Sequence, residues 1–513
     1  MRLSLWVIVA GLSLALPLSA QTAPSEIPVV GEMIDVRVVN VEAVITDAAG
    51  QRVRGLSAGD FRLLVDGQEV PIEYFTEIQE GAPVTPKETA QAGPAAPVGP
   101  GEEVGRSYLI YVDDSFSLPS PRNDLLAKLE RDLTLLHTVD RMAVLAFDGA
   151  HIDVLSGWTG EAGKLREALG KAQQRPAKGG KMLSHQRALQ ADVDWVSDSA
   201  ESLESGDSDR VGGPKLSEVE EIQGALAKRI SPEARTQLGK TAAAAAAALR
   251  GFEAPPGRKV LFLLSGAWSL SVAPRLYGPL VEAANRLGYT VYPVDAAQSD
   301  ATEVTALDML ARATGGRAIV SASNDAFREA VADSGTYYWL GFTPAWKADD
   351  RAHQVTVEVR RPELKVRSRS GFSDLSRRTE TAMKAESVLL FGGAKEERRL
   401  IVELGEPRRK KKTLEVPVTL GVPVEALAPR PEGDGYLVEV PLAVAIEDKK
   451  GGRADQQGMR LKVMLAKLPP AGTYARFRTV LELRDVEQRL IFTVHDQASG
   501  QTLWGQAELV PGR

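Results

Sequence analysis

The sequence contains no cysteine among its 513 residues. Disulfide bonds, thiolate metal sites and a catalytic cysteine are therefore excluded. The sequence also lacks an excess of positive charge, because 62 Lys and Arg residues stand against 68 Asp and Glu residues, for a net charge of −6. A mildly acidic chain of this kind is not expected to bind nucleic acid.

The usual motifs of catalysis are missing as well. The five histidines form no H-E-x-x-H motif or other metal-ligand spacing, and no G-x-x-x-x-G-K-[ST] nucleotide loop occurs. Ser265 follows a predicted buried strand, but Leu263 stands where a nucleophile elbow needs glycine. We therefore expect a protein that is not an enzyme. One alternative stays open, a hydrolase with a pair of carboxylates that no motif marks.

The first 20 residues are typical of a secretory signal peptide. Arg2 supplies a positive charge, Leu3 to Leu18 are largely apolar, and the segment ends on small residues at Ala20. We expect cleavage before Gln21 and a bacterial protein that is secreted or periplasmic. The alternative is a retained N-terminal anchor. No later run is long and apolar enough to cross a membrane, so we expect no transmembrane span after cleavage.

The pattern changes twice in the first hundred residues. Residues 33–79 alternate apolar and polar positions around turn signals such as Asp66-Gly67, which predicts a small β module. Residues 80–105 contain five prolines among Gly, Ala and Glu. This composition predicts a semi-flexible linker.

The rest of the chain divides into a mixed part and an all-β part. Residues 106–373 alternate buried strands with helices, which predicts an α/β domain with a doubly wound, mostly parallel sheet. A helical insertion around residues 181–250 either projects as a hairpin or packs on the sheet, and strands at 336–373 end the domain. Residues 374–385 are predicted to form a polar connector. The strand-like pattern of residues 386–513 predicts an immunoglobulin-like sandwich.

The best candidate for a site directly follows the first buried strand of the α/β part. The segment from Asp113 to Ser117 reads D-D-S-F-S, and ligands of open α/β sheets bind at the carboxyl ends of strands. Its spacing can place the Asp113 carboxylate and the hydroxyls of Ser115 and Ser117 around a hard dication such as Mg²⁺ or Mn²⁺. The alternative is a polar loop that caps the next helix.

This loop resembles the first loop of a von Willebrand factor A domain, whose metal-ion-dependent adhesion site uses D-x-S-x-S. The resemblance is closest to the VWFA-related family of secreted bacterial proteins and runs from Val36 to Phe372. Further short matches follow in the family's order: Val44-Ile45-Thr46-Asp47, Gly55-Leu56-Ser57, Asp140 to Val144, Trp158-Thr159, Leu307 to Leu310, Thr314 to Arg317, Tyr337 to Phe342 and Arg367 to Phe372.

The resemblance implies a von Willebrand A-like domain that binds a protein partner through a metal ion. The sequence departs from an intact site of this kind at two loops, with Lys181 in place of Thr and Ser265 in place of Asp. Both changes disfavour a dication, because one removes a negative charge and the other adds a positive one. Lys181 could instead form an ion pair with Asp113 or Asp114. The further candidate binding residues are Asp114, Thr159, Ser265 and Asp295.

Together these patterns predict a secreted, adhesion-type protein that binds an unidentified protein at the carboxyl-end rim of its sheet. Besides the hydrolase, the alternative is a scaffold whose C-terminal sandwich binds a glycan or an envelope protein. The densest charge run, Arg408 to Lys412, is interpreted as a solvated loop between strands. The alternative for this run is contact with an acidic surface or anionic lipid.

Overall fold

The structure is a computed structural model. It describes residues 38–84, 103–180, 184, 232–266, 268, 273–299, 301–320, 326–345, 347–393, 395–449, 451–470, 472–496 and 501–511. The expected signal peptide, most of the expected linker and the expected insertion before residue 232, including Lys181, lie outside the described residues. No described helix has the length and apolar character needed to cross a membrane.

Strands dominate the described chain. In chain order, the strands up to residue 373 are β1 (Val39–Thr46), β2 (Phe61–Val65), β3 (Gln68–Val70), β4 (Tyr74–Gln79), β5 (Ala82–Val84), β6 (Arg106–Asp113), β7 (Arg141–Phe147), β8 (Ile152–Thr159), β9 (Arg258–Ser265), β10 (Tyr289–Asp295), β11 (Thr336–Phe342), β12 (Ala352–Val359), β13 (Lys365–Ser368) and β14 (Gly371–Ser373). The later strands are β15 (Ile401–Leu404), β16 (Arg408–Lys410), β17 (Thr413–Pro423), β18 (Arg430–Glu432), β19 (Gly435–Asp448), β20 (Arg453–Leu465), β21 (Tyr474–Arg484), β22 (Gln488–Asp496) and β23 (Gln501–Leu509).

The described α-helices lie between residues 119 and 391. They are α1 (Pro119–Arg131), α2 (Ala162–Gln174), α3 (Pro232–Gly251), α4 (Ala273–Leu276), α5 (Gly278–Leu287), α6 (Ala301–Ala313), α7 (Ala326–Gly335) and α8 (Arg377–Phe391).

The predicted fold class, a doubly wound α/β protein, is wrong. Strands account for 43% of the described residues and helices for 28%, and most sheets are antiparallel. Among the described strands, β10, β9, β6 and β7 are parallel to one another, and β8 returns antiparallel at the edge. The central sheet is therefore mixed, because a short turn after Phe147 joins β7 to β8 and a turn of that length can only reverse the chain.

The terminal strands belong with the N-terminal β module and not with the central sheet. Strand β11 lies between β1 and β4, β13 flanks β1, and β12 pairs with β2. Their inward side chains share one core, which includes Phe61, Tyr338 and Phe342. The segment at 336–373 therefore completes a β module that residues 39–84 begin.

The central sheet has the strand order β10-β9-β6-β7-β8. All eight residues of β6 are buried, as expected for a strand with neighbours on both sides and packing on both faces. Side chains of α3, α5 and α6 pack on one face, and side chains of α1, α2 and α7 pack on the other. This packing fixes the carboxyl ends of β6, β9 and β10 side by side.

The expected polar connector is in fact a helix. Ser376 caps the start of α8 by accepting a hydrogen bond from the Thr379 amide. Further along α8, Ala385, Val388 and Leu389 pack against Ala443 and other core residues of the C-terminal region. The sequence pattern missed α8 because its apolar stripe begins only near its end.

Two antiparallel sheets form the C-terminal region. The β17 sheet has the order β15-β17-β16, with β21 on the other side of β17, and the β19 sheet has the order β18-β19-β22-β23, with β20 also pairing with β19. Their inner faces share one core, from Val416 and Leu481 to Val440 and Phe492. Helix α8 covers the outer face of the β19 sheet.

Candidate functional site

The rim is defined here as the carboxyl ends of β6, β7, β9 and β10 with the loops that follow, residues 113–118, 148–151, 176–180, 265–266 and 295–299. Asp113, the last residue of β6, is fully buried at its centre. Its Oδ1 accepts the Ser115 amide at 2.9 Å, and its Oδ2 accepts the Ser265 hydroxyl at 2.8 Å. The rim therefore brings the first loop and the loop after β9 together on one carboxylate.

The two serines of the first loop are also occupied. The Ser117 hydroxyl donates to the Asp113 carbonyl oxygen at 2.6 Å, and the Ser115 hydroxyl oxygen accepts the side-chain amide of Gln237 at 3.1 Å. Gln237 lies on α3, a helix in which no sequence motif marks a functional residue. Both serine hydroxyls thus hold the loop in place.

Ser265 connects Asp113 to a tryptophan. While its hydroxyl donates to Asp113, its oxygen accepts the indole N–H of Trp268 at 2.9 Å. The Trp268 side chain is fully buried and packs in the core of the sheet. Ser265 therefore extends a hydrogen-bonded chain inward from the rim.

Asp295 lies at the rim, one strand away from Ser265. The two residues are register partners on the parallel strands β10 and β9. The Asp295 carboxylate accepts the Ala297 amide at 3.0 Å and the Ser299 amide and hydroxyl at 2.8 Å each. These bonds shape the loop that follows β10.

Asp114 is a structural ion-pair residue. Its carboxylate accepts Arg122 Nη1 and Arg175 Nε, each at 2.7 Å, and the Asp114 and Arg122 side chains are each 1% exposed. Arg175 also reaches the exposed Asp153 at 2.8 Å. Asp114 is thus paired with two arginines. Sequence patterns did not indicate either arginine, because charged side chains normally face solvent.

Thr159 lies apart from the rim. It pairs with Met142 at the start of β7, whereas Asp113 pairs with Phe147 at its end. The five-residue separation corresponds to about 17 Å along the strand. The Thr159 hydroxyl oxygen instead accepts the Glu161 amide at 3.0 Å, next to the start of α2.

Burial controls the electrostatics of the Asp113 carboxyl. Burial away from water raises the pKa of Asp113 from the ordinary value of 3.8 to about 7. The hydrogen bonds from Ser265 and Ser115 oppose this rise. The neighbouring Asp114 raises the pKa of Asp113 further. The protein therefore tolerates Asp113 best as a neutral group.

The oxygen atoms at the rim do not fit a hard dication. Mg²⁺ takes six oxygen ligands, including several waters, but the Asp113 carboxylate and the hydroxyls of Ser115, Ser117 and Ser265 are buried and bonded to protein groups. In the part of the chain that the structure describes, no group of three or more His, Cys, Asp or Glu residues could hold a metal ion. The geometry of the rim is that of a polar cluster whose members satisfy one another.

No known protein family matches this chain, and no curated protein does either. Among solved structures, the crystal structure of a β-glucosidase from Kluyveromyces marxianus aligns at 9% identity over 53% of this chain, with a TM-score of 0.13. The alignment covers 33% of the β-glucosidase, so the chain spans about one third of that protein's length. An alignment with a TM-score this low carries no information about the fold of this chain. The resemblance to the VWFA-related family stays a prediction.

Proposed function

We propose that this is a secreted, non-catalytic protein that binds another protein at the rim. The proposal depends on one observation, that backbone hydrogen bonds connect the rim loops into a single platform. The Leu118 amide donates to the Ala296 carbonyl, and the Ala296 amide donates to the Ser265 carbonyl. The Lys178 amide donates to Asp114, and the Asp114 amide donates to Phe147.

A rigid platform of loops suits recognition, because loops held by a scaffold carry most binding surfaces and lose little entropy when a partner binds. The groups on top of the platform differ from those inside it. Ala150, Lys178 and Gln298 are exposed there, whereas Asp113 and Ser265 are buried beneath them. A partner would therefore contact the exposed loop residues, and the buried polar cluster would set their positions.

The proposed recognition does not require a metal. The Asp113 carboxylate would have to release the hydrogen bonds from Ser115 and Ser265 before it could coordinate a cation. Releasing buried bonds of this kind is costly, since each unsatisfied group costs about 1–3 kcal/mol. A chelator should therefore leave partner binding unchanged.

The test is site-specific photo-crosslinking in the cells that make the protein. A photoreactive amino acid is placed at Ala150 or Gln298 on the rim, and the control is placed at Val139, an exposed residue at the opposite edge of the same sheet. We expect a discrete protein adduct from both rim positions, with and without EDTA, and no such adduct from Val139. Adducts of equal yield from Val139, or none from the rim, would contradict the proposal.

A further inference from the structure

The outer face of the β17 sheet is uncovered in the described part of the chain. Helix α8 packs on the outer face of the β19 sheet, but no described helix or strand packs on the corresponding face of the β17 sheet. Along β21 the residues alternate, so that Phe477, Leu481 and Leu483 enter the core, whereas Arg476, Arg478, Val480 and Glu482 are exposed on the outer face.

Positive charge collects on this uncovered face. The charge run expected to be a solvated loop instead forms β16 and a tight turn, with β16 paired to β17 at Arg408↔Glu415 and Lys410↔Thr413. Across β17, strand β21 adds its outward arginines. Five exposed cations form no ion pair with any described residue: Arg408, Lys411, Lys412, Arg476 and Arg478.

The carboxylates of the same face cancel only part of this charge. Glu415 is paired with Lys410 at 2.6 Å, and Glu482 accepts the Thr413 hydroxyl at 2.8 Å. Glu403 lies on the same row as Arg478, with Thr419 between them. The face is therefore positive in a chain whose overall charge is −6, and its charge is not explained by overall composition.

Two aliphatic side chains lie among these cations. Val480 is 54% exposed and Ile401 is 48% exposed. Val480 stands between Arg478 and Glu482 on β21, and Ile401 is in the same row as Arg476. Since outward residues on a strand repeat about every 7 Å and neighbouring strands are about 4.8 Å apart, the charges and the aliphatic groups share one patch of the sheet surface.

We propose that this patch, named the basic face, binds the surface of a lipid bilayer that contains anionic headgroups. The basic face comprises Arg408, Lys410 to Lys412, Ile401, Arg476, Arg478 and Val480. The exposed aliphatic side chains favour a bilayer over a charged polymer, because a bilayer offers an apolar layer beneath its anionic headgroups. Cations at both ends of the patch attract headgroups. Val480 between them and Ile401 beside Arg476 can enter the interface.

The attraction is expected to be additive and sensitive to salt. A cation close to an anionic membrane contributes roughly a fivefold increase in affinity. Added salt screens charges that are separated by more than about 10 Å at 0.1 M. Binding through five cations should therefore weaken strongly between low and high ionic strength.

The test is co-sedimentation of the protein with lipid vesicles. The vesicles contain either phosphatidylcholine alone or phosphatidylcholine with 30 mol% phosphatidylglycerol, about the anionic content needed for a strong surface potential. We expect binding to the anionic vesicles only, and its loss in high salt. The variant Arg476→Gln/Arg478→Gln should bind about 25-fold more weakly, and Lys411→Gln/Lys412→Gln should match it.

A matched control separates the basic face from overall charge. Arg166→Gln/Lys365→Gln removes the same two charges from exposed positions elsewhere and should leave vesicle binding unchanged. Val480→Ser should weaken binding severalfold without a change in charge. Equal loss in the control variant, equal binding to neutral vesicles, or retention by dextran sulfate without any vesicle binding would overturn the proposal.

Discussion

The rim and the basic face use polar side chains in opposite ways. At the rim, Asp113, Asp114 and Ser265 are buried, and each has its partners within the protein. At the basic face, Arg476 and Arg478 are exposed and form no ion pair with a described residue. Leaving a buried polar group without a partner costs about 1–3 kcal/mol, so stability alone is enough to explain why the rim residues are bonded to one another. Folding places no such demand on the exposed cations, so their clustering needs another explanation.

The largest effect is expected from Asp114→Ala. This change leaves Arg122, which is 1% exposed, without its carboxylate and removes one of the two carboxylates bound to Arg175. Breaking a buried ion pair from one side costs about 3–5 kcal/mol. Urea unfolding followed by circular dichroism should show a loss of this size in the free energy of unfolding.

Asp153→Ala is the matched control for Asp114→Ala. Asp153 also pairs with Arg175 at 2.8 Å, but its side chain is 50% exposed. Exposed pairs contribute at most about 1 kcal/mol, so this variant should be nearly as stable as the wild type. If the two variants lost equal stability, the rim would not differ from the surface in the way proposed.

The second-largest effect expected is a dependence of stability on pH, caused by the ionisation of Asp113. Burial raises the pKa of Asp113 from 3.8 to about 7, so the native state binds this proton more tightly than the unfolded state does. The native state is therefore weakened as the pH rises from about 4 to about 7, and this penalty is absent at lower pH. Asp113→Asn, which stays neutral, should remove a penalty on the order of a few kcal/mol.

The test compares the stability difference between Asp113→Asn and the wild type at two pH values. The free energy of unfolding of Asp113→Asn relative to the wild type is determined at pH 4.5 and at pH 7.5. The variant should gain stability relative to the wild type at pH 7.5, because only the wild type ionises Asp113 there. An unchanged difference between the two pH values would show that Asp113 does not titrate in this range.

Local patterns could predict the strands that form the rim. The apolar runs at Tyr108 to Val112 and Val260 to Leu264 lie within β6 and β9, because a strand buried on both faces must be apolar at every position. Asp113, Ser265 and Asp295 also meet at the rim, since the carboxyl ends of parallel strands lie along one edge.

Pairing between distant segments could not be predicted in this way. Strand β11 joins β1 across almost 300 residues, and no local pattern specifies such a partner. The position of Thr159 could not be predicted for a related reason. The chain reverses after β7, so the end of β8 lies at the opposite edge of the sheet from Asp113. The burial of Arg122 also depends on its tertiary neighbours.

Thr159→Ala should lower the stability of the protein less than Asp114→Ala does. The threonine hydroxyl oxygen accepts the Glu161 amide at 3.0 Å, and a hydrogen bond of this kind contributes about 1 kcal/mol. Thermal unfolding should show this modest loss, and Thr159→Ser should restore most of it. Crosslinking from Gln298 should not change, because Thr159 is remote from the rim. Loss of the adduct in Thr159→Ala would place Thr159 in the recognition surface after all.

The smallest effect on stability is expected from Arg476→Gln/Arg478→Gln at the basic face. Surface substitutions away from buried groups usually change stability by less than about 0.5 kcal/mol. A useful contrast is Arg250→Gln, which removes the bidentate partner of the buried Glu386 at 2.8 and 3.0 Å and should destabilise the protein clearly. Both variants are compared with the wild type by urea unfolding. If Arg476→Gln/Arg478→Gln cost as much as Arg250→Gln, these two cations would have a structural role like that of the rim residues, and stability alone would explain their positions.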